Sequence, residues 1–237
     1  MDAASYVILS RQSGLTREMR IVANNIANAA TTGFRQEGLI FSEFVKSAPG
    51  QSSLSMSEAH VRNTSMAQGA LTQTNGTFDF AIEGDGFFLV DTPAGQRLTR
   101  SGSFSPNADG DLVTMDGHRV LDAGGAPVFV PPGVAGISVA ADGTLSADGQ
   151  LLGQIGLYNP TDPLGLVRED GVMFRAEAGV EPAENATILQ GFVEASNVNA
   201  ILQVSRMIEV QRAYEMGQSF LEREDQRIRN AVKTLIK

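Results

Sequence analysis

Side chains able to do acid–base or metal chemistry are few in this 237-residue chain, and they stand apart. Its two histidines, His60 and His118, show neither metal-ligand spacing nor a base–nucleophile pairing and read as loop residues facing solvent. Cysteine is absent, which removes disulfides, thiolate metal sites and thiol nucleophiles together. Asn107, Asp109 and Asp111 reproduce the first, third and fifth places of an EF-hand calcium loop. The sixth place is then Leu112 where that loop needs glycine, and the twelfth is His118 where it needs a bidentate glutamate, so hairpin turns are the better reading. Glu83 and Asp85 lie two apart, as a glycosidase-like carboxylate pair could. No aromatic platform surrounds them, and the chain has no tryptophan. "EGDGFF" holds a lone Gly-x-Gly with no helical pattern behind it to receive a phosphate, and reads as a β-turn. The expectation is a protein that is not an enzyme and has no catalytic, cofactor-binding or metal site.

Charge narrows the partners. Residues 1–45 carry four basic and four acidic side chains, and residues 186–237 carry seven and six. The middle, 46–185, holds seven basic against seventeen acidic, a net −10 within a chain of net −9. That argues against nucleic acid, whose phosphates need clustered Lys and Arg. Near-neutral ends suit close packing of many copies. The opening Met1-Asp2-Ala3-Ala4 has no basic n-region, and no run approaches the roughly 20 apolar residues of a membrane span. The expectation is a chain without a cleaved signal peptide and without direct membrane insertion.

Two helices must frame whatever the chain does. Ile8, Leu15, Met19, Val22 and Ile26 form a helical seam, with Gln12 in its one missed step. Thr31-Thr32-Gly33 offers a left-handed close. Near the other end Met207, Val210, Tyr214, Gly217, Leu221, Glu224, Ile228, Ala231 and Leu235 alternate steps of three and four, Gly217 and Glu224 being the weak ones. Ser196, Asn197 and Asn199 are cap candidates before it. A helix from Val198 to Leu235 would run about 57 Å at 1.5 Å per residue, too long to be buried against one short N-terminal helix.

Between them the texture changes. Residues 47–76 are rich in Ser, Gln, Ala and Gly without clear periodicity. From Thr77 come short strand-like runs punctuated by Asp-Gly pairs at Asp85, Asp109, Asp116, Asp142, Asp148 and Asp170, where both residues tolerate the positive φ of a type I′ hairpin turn. The predicted class is α+β: a discontinuous helical coiled-coil module from both termini and a central all-β domain of hairpins. Its expected bounds are 1–34 and 196–237 for the polymerisation module, 35–76 for a linker or extended arm, 77–185 for the β domain and 186–195 for a return segment. The C-terminal seam offers about five large side chains, worth on the order of 1.5–3 kcal/mol each when buried. Ordering nearly forty residues costs more than that, so such helices should gain order by packing against copies of themselves.

The stretch "IVANNIANAATTGF" sets Asn24, Asn25 and Asn28 on a helix end, although asparagine is a poor interior helix residue. Uncharged amides that both donate and accept can specify how a helix meets its neighbours; equally, they can fray and cap the end. Both readings stand on the residues alone. "SRQSGLTREMRIVANNIANAATTGFR", "GDGFFLVDTPAGQRLTRSGSFSPNADGDLVTMDGHRVL" and "LQGFVEASNVNAILQVSRMIEVQRAYE", in that order, resemble the flagellar basal-body rod and hook family nearly from end to end.

The resemblance implies an axial subunit exported unfolded through the flagellar type III apparatus. It would then polymerise, with itself and other axial rod proteins, into a helical tube crossing the periplasm, terminal helices inside and the β domain outside. The opening residues and the compact linker resemble the proximal-rod type more than the distal-rod type. Ala30 stands where members often carry a polar residue. On this reading the subunit-packing residues are Val22, Asn25, Ile26, Asn28, Gly33, Phe34, Asn197, Asn199, Met207, Val210, Gln211, Tyr214 and Leu221. From other classes, a secreted β-rich binding module with dimerising helices would form a discrete dimer, and a hydrolase would lose activity on Glu83→Gln.

Overall fold

Apolar steps of three and four residues give two α-helices among the described residues, α1 (Ala3–Ala27) and α2 (Ala200–Leu235). The computed structural model describes residues 3–46, 54–134, 136–169 and 171–235. α2 starts at Ala200 because Asn199 caps it: the Leu202 N–H donates to Asn199 Oδ1 at 3.1 Å, and the Gln203 N–H to the Asn199 carbonyl at 3.0 Å. α1 ends differently from expectation. Near its end the Asn28 N–H and amide both donate to the Asn24 carbonyl, at 3.1 and 2.9 Å, and the Ala29 N–H donates to that of Ile26 at 3.2 Å. Gly33, read as the helix close, lies beyond that end and is left-handed (φ +70°) for another reason given below.

The chain divides into two compact units. A helical unit comprises 1–29, 36–66 and 198–237, and a β unit comprises 30–35 and 67–197. In the helical unit, β1 (Glu37–Lys46) and β2 (Leu54–Thr64) pair antiparallel, Glu37 opposite Thr64, with a bulge between Ile40 and Phe41. Part of the segment read as aperiodic linker is therefore a strand. His60 falls in β2, its side chain outside the described residues.

The β unit carries β3 (Leu71–Gln73), β4 (Phe80–Glu83), β5 (Phe87–Thr92), β6 (Gly95–Thr99), β7 (Phe104–Pro106), β8 (Leu112–Thr114) and β9 (Arg119–Val120). It continues with β10 (Ile137–Val139), β11 (Thr144–Ala147), β12 (Gln150–Gln154), β13 (Leu157–Pro160), β14 (Leu166–Glu169) and β15 (Met173–Ala176). β16 (Val180–Pro182), β17 (Thr187–Gln190) and β18 (Phe192–Glu194) complete it. The main sheet runs β14-β15-β6-β5-β9-β8-β7, with β13 bridging β5 and β16. β5 is buried on both faces: Phe88 and Val90 enter one apolar cluster with Phe80, Phe104 and Leu112, while Phe87 and Leu89 enter a second with Leu98, Tyr158 and Phe174. Phe88 meets Phe104 edge-on at 5.2 Å. This unit reaches past 77–185, because β17 pairs with β4, β18 pairs with β3, and Ile188 is part of the core.

Four of the Asp-Gly pairs make turns, mostly of another type, and Asp85-Gly86 is a bend between β4 and β5. Asp148 and Gly149 both have positive φ (49° and 79°), as a type I′ turn between β11 and β12 requires. At Asp109, Asp116 and Asp142 only the glycine is left-handed. There the turn closes over three residues, as when the Gly117 N–H donates to the Thr114 carbonyl at 2.9 Å and the Thr114 N–H to the His118 carbonyl at 2.8 Å. This is a type I turn completed by a left-handed glycine. Asp170 lies outside the described residues.

Candidate assembly site

α1 and α2 lie side by side in the helical unit and run antiparallel, since Asn25 meets Gln203, Glu18 meets Arg206, and Gln12 meets Tyr214. Leu15, Ile21, Val22 and Val210 are buried in this unit, and polar layers interrupt them. The Asn25 amide, 1% exposed, treats the first residue of β1 as a strand partner would. Its Nδ2 donates to the Glu37 carbonyl at 2.8 Å, its Oδ1 accepts from the Glu37 N–H at 2.9 Å, and Nδ2 also reaches Gln203 Oε1 at 3.3 Å. Asn25 thus joins α1, β1 and α2 inside one chain. Asn24 and Asn28 bond each other at the helix end, the local capping role. The Arg206 guanidinium bonds Glu18 at 2.5 Å and Glu209 at 3.0 Å, and the Glu18 hydrogen bond holds its pKa above the usual arginine range.

Further along α2 the predicted seam is the sheltered face: Met207, Tyr214, Gly217, Leu221 and Glu224 are half-buried, whereas Gln211 is exposed and bonds Glu215. Ile26 is half-buried on α1. α2 has 36 residues against 25 in α1, which leaves about 16 Å of α2 with no α1 beside it. Ile228 and Val232 there continue the seam face yet are 46% and 48% exposed. Near the other end Ile201 (79%), Val204 and Ile208 form a bare apolar stripe on the face turned from α1.

In the β unit the two motif ends converge on one buried ion cluster. Glu194, at the end of β18, receives Arg35 Nη2 and Arg100 Nη1 at 3.1 Å each, all three side chains being at most 3% exposed. The Gly69 N–H donates to the same carboxylate at 2.8 Å, and Arg100 also donates to the Gly84 carbonyl at 2.7 Å. Burial, only partly offset by Glu194, holds the Arg100 pKa down to about 10 and lowers that of Arg35. Arg168 stacks its guanidinium between the rings of Phe34 and Phe174 at 4.4 and 4.6 Å and donates to the Arg35 carbonyl.

Gly33 is glycine because the chain crosses the backbone of Ser101 so closely that a Cβ would stand 2.2 Å from its nitrogen. The Gly33 N–H donates to the Glu194 carbonyl at 2.8 Å, and Asn197 donates to the Ala67 carbonyl at 2.7 Å. Gly33, Phe34 and Asn197 are therefore engaged within the β unit, and Asn199 in the α2 cap. Sequence reasoning missed Arg35, Arg100, Arg168 and Glu194. The available signal was Glu194 itself, a charge inside the apolar run "GFVEA".

The residues weighed for chemistry lie in turns and at strand ends where described. Asn107 Oδ1 accepts the N–H groups of Asp109 and Asp111 at 2.9 and 2.8 Å, and Asp111 pairs with Arg119 at 2.9 Å, which uses the loop as a turn. Among the described residues no group of three or more His, Asp or Glu could hold a metal ion. Glu83 accepts from the Thr187 hydroxyl at 3.5 Å. Asp85 lines a surface depression with Asn159, Glu181, Pro182, Glu184 and Asn185, none of them aromatic. His118 is half-buried and closes the β8–β9 turn. No described helix is long and apolar enough to cross a membrane.

Comparison with known proteins bears on the same three regions. Residues 6–35 match the family described as flagella basal body rod protein. Residues 81–147 match the D1 domain of flagellar hook protein FlgE/F/G, and residues 189–234 the C-terminal region of flagellar basal body rod FlgEFG protein. Flagellar basal-body rod protein FlgF of Mesorhizobium japonicum is 42% identical over 238 residues, covering 99% of this chain and 98% of that protein. The protein of the same name from Caulobacter vibrioides is 40% identical over 243 residues, with 99% and 98% covered. Flagellar basal-body rod protein FlgG of Bacillus subtilis is 29% identical over 256 residues, with 96% and 97% covered.

Proposed function

We propose that this chain, which belongs to the flagellar basal-body rod protein family, is a structural subunit of the proximal rod, polymerising into the axial drive shaft required for flagellum-dependent motility. The observation that carries the polymerisation is α2. It keeps one face on α1 and leaves Ile201, Val204 and Ile208 bare on another, with Ile228 and Val232 bare beyond the reach of α1. Apolar helix faces of this kind are buried by other helices, so the helical unit forms coiled-coil contacts with copies of itself and with other axial rod proteins. Ile26, Asn28, Met207, Gln211, Tyr214 and Leu221 have side chains at least partly exposed and take part in those contacts. Val22, Asn25, Gly33, Phe34, Asn197, Val210 and the cap residue Asn199 prepare them from within.

The subunit works by packing and not by catalysis, and lies in the periplasmic part of the basal body. It reaches that place through the flagellar type III export apparatus. Higher identity to FlgF relatives than to FlgG relatives supports the proximal over the distal rod. Electron microscopy of basal bodies from a strain lacking the gene tests this. A rod stopping just outside the inner membrane, without a hook, is expected. A rod missing only its outer part moves the subunit to the distal segment, and a complete rod and hook overturns the reading.

A further inference from the structure

Two interruptions in otherwise apolar seams meet each other. Gln12 occupies the step of α1 that lacks an apolar residue, and Gly217 is a weak step of α2 and its only glycine. The Gln12 side chain lies over Gly217, where an added Cβ would come within 2.4 Å of Nε2 and 3.2 Å of Cδ. Nε2 donates to the Tyr214 backbone carbonyl at 2.9 Å. Gln12 is buried, and its Oε1 accepts no hydrogen bond. A buried amide with an orphaned acceptor is less favourable for stability than leucine at the same place. What such a polar residue supplies is alignment, the best-attested use of a buried polar group in a helical seam.

We propose that Gln12 and Gly217 form a register lock, which admits α1 to the seam of α2 in one antiparallel alignment and rejects those one turn away. Sliding α1 one turn toward the C-terminus of α2 brings Gln12 over Leu221 and Asn25 over Met207, and carries Glu18 a further turn from Arg206. The amides of Gln12 and Asn25 then face apolar side chains, and Glu18 and Asn25 lose Arg206 and Gln203. Sliding the other way sets Gln12 over Ala213, whose Cβ closes the notch. Only Gly217 lacks a Cβ, so one alignment alone gives the glutamine room. The same rule governs any α1 offered to this seam, from the same chain or from another copy.

The chain has no cysteine, so spin labels can be placed without background. Leu9→Cys and Arg212→Cys in the full chain label two exposed positions outside the seam and offset along it. Electron–electron distance measurement should give one narrow distance in the parent. Gly217→Ala should add a second distance or move the first, by up to the roughly 5.4 Å of one helical turn. Adding Gln12→Ala to Gly217→Ala should return the parent distance, because the shortened side chain leaves room for the methyl. An unchanged distance in Gly217→Ala, or a parent distribution as broad as that of the variant, overturns the lock. Spreading without a displaced peak, accompanied by loss of helix content, makes Gly217 a packing residue only and also overturns it.

Discussion

Replacing Glu194 with alanine should be among the most damaging single changes available to the β unit. The carboxylate is 1% exposed and is the shared partner of Arg35 and Arg100, each at 3.1 Å and themselves 1% and 3% exposed. At an effective dielectric constant of about 20, two unit charges so placed attract by roughly 5 kcal/mol, most of which offsets the cost of taking them out of water. That balance is already tilted. Burial outweighs Glu194 in setting the Arg100 pKa near 10, below the usual arginine range, which corresponds to about 3 kcal/mol of uncompensated burial. The sign is that of a depressed base: the cost is present at neutral pH and is relieved only as pH rises past about 10.

Truncating Glu194 leaves two buried cations and the Gly69 N–H without their acceptor, for which a loss of about 3–5 kcal/mol is expected. Urea unfolding of a full chain carrying Tyr6→Phe and Tyr214→Phe, followed by the fluorescence of Tyr158 in the β core, would report it. In a unit of this size the same loss lowers the melting temperature by about 6–20 °C. Glu194→Gln keeps the shape and an acceptor for Gly69, and should fall between parent and alanine variant. A loss below about 1 kcal/mol for Glu194→Ala would show that the cluster does not hold residues 30–35 and 191–197 to the sheet.

Gly33→Ala should cost at least about 2 kcal/mol, combining a left-handed backbone at φ +70° with a Cβ 2.2 Å from the Ser101 nitrogen; a melting temperature within a degree of the parent would refute the close crossing. Ile208→Asp and Val232→Asp, at exposed positions, should leave the stability of the monomer within about 0.5 kcal/mol while stopping polymerisation and swimming. Leu221→Asp, half-buried, should harm both; normal assembly by any of the three would remove that residue from the contact surface. Glu169 is held below the usual carboxylate range by Arg175 first and Arg97 second, and Asp142 by Thr144. Their contribution to stability is present above about pH 4 and is lost as pH falls through the depressed values. Carboxyl carbon shifts that titrate at ordinary values would contradict this.

What could be read from the sequence was whatever repeats within a few residues. Steps of three and four marked both helices, and Asp-Gly pairs marked turns, because those signals are local. β2 escaped because its run "LSMSEAHVRNT" does not alternate apolar and polar residues cleanly, so a strand of period two leaves little trace in it. Asn25 was singled out, but its partners escaped for a different reason. Its partners are the backbone of Glu37 and the amide of Gln203, and nothing in residue type says that an asparagine will complete a strand edge. The cluster of Arg35, Arg100 and Glu194 joins three segments remote in sequence, each charge looking solvent-bound on its own.

The flaws in the two seams are the most instructive case. Gln12 and Gly217 were each visible as a defect in an apolar pattern, and each defect alone weakens a helix prediction. Set against each other across the seam, with the amide of Gln12 filling the space that Gly217 leaves, they are one feature with a geometric reason. A missed step in one helix therefore carries information when an antiparallel partner has a missed step at the facing position. Aligning Gln12 on Gly217 also brings Glu18 close to Arg206 and Asn25 close to Gln203, which is the pairing observed. The defects of the pattern specify the register that its regular steps leave open, since any slip by a whole turn keeps apolar residues facing apolar residues elsewhere along the seam.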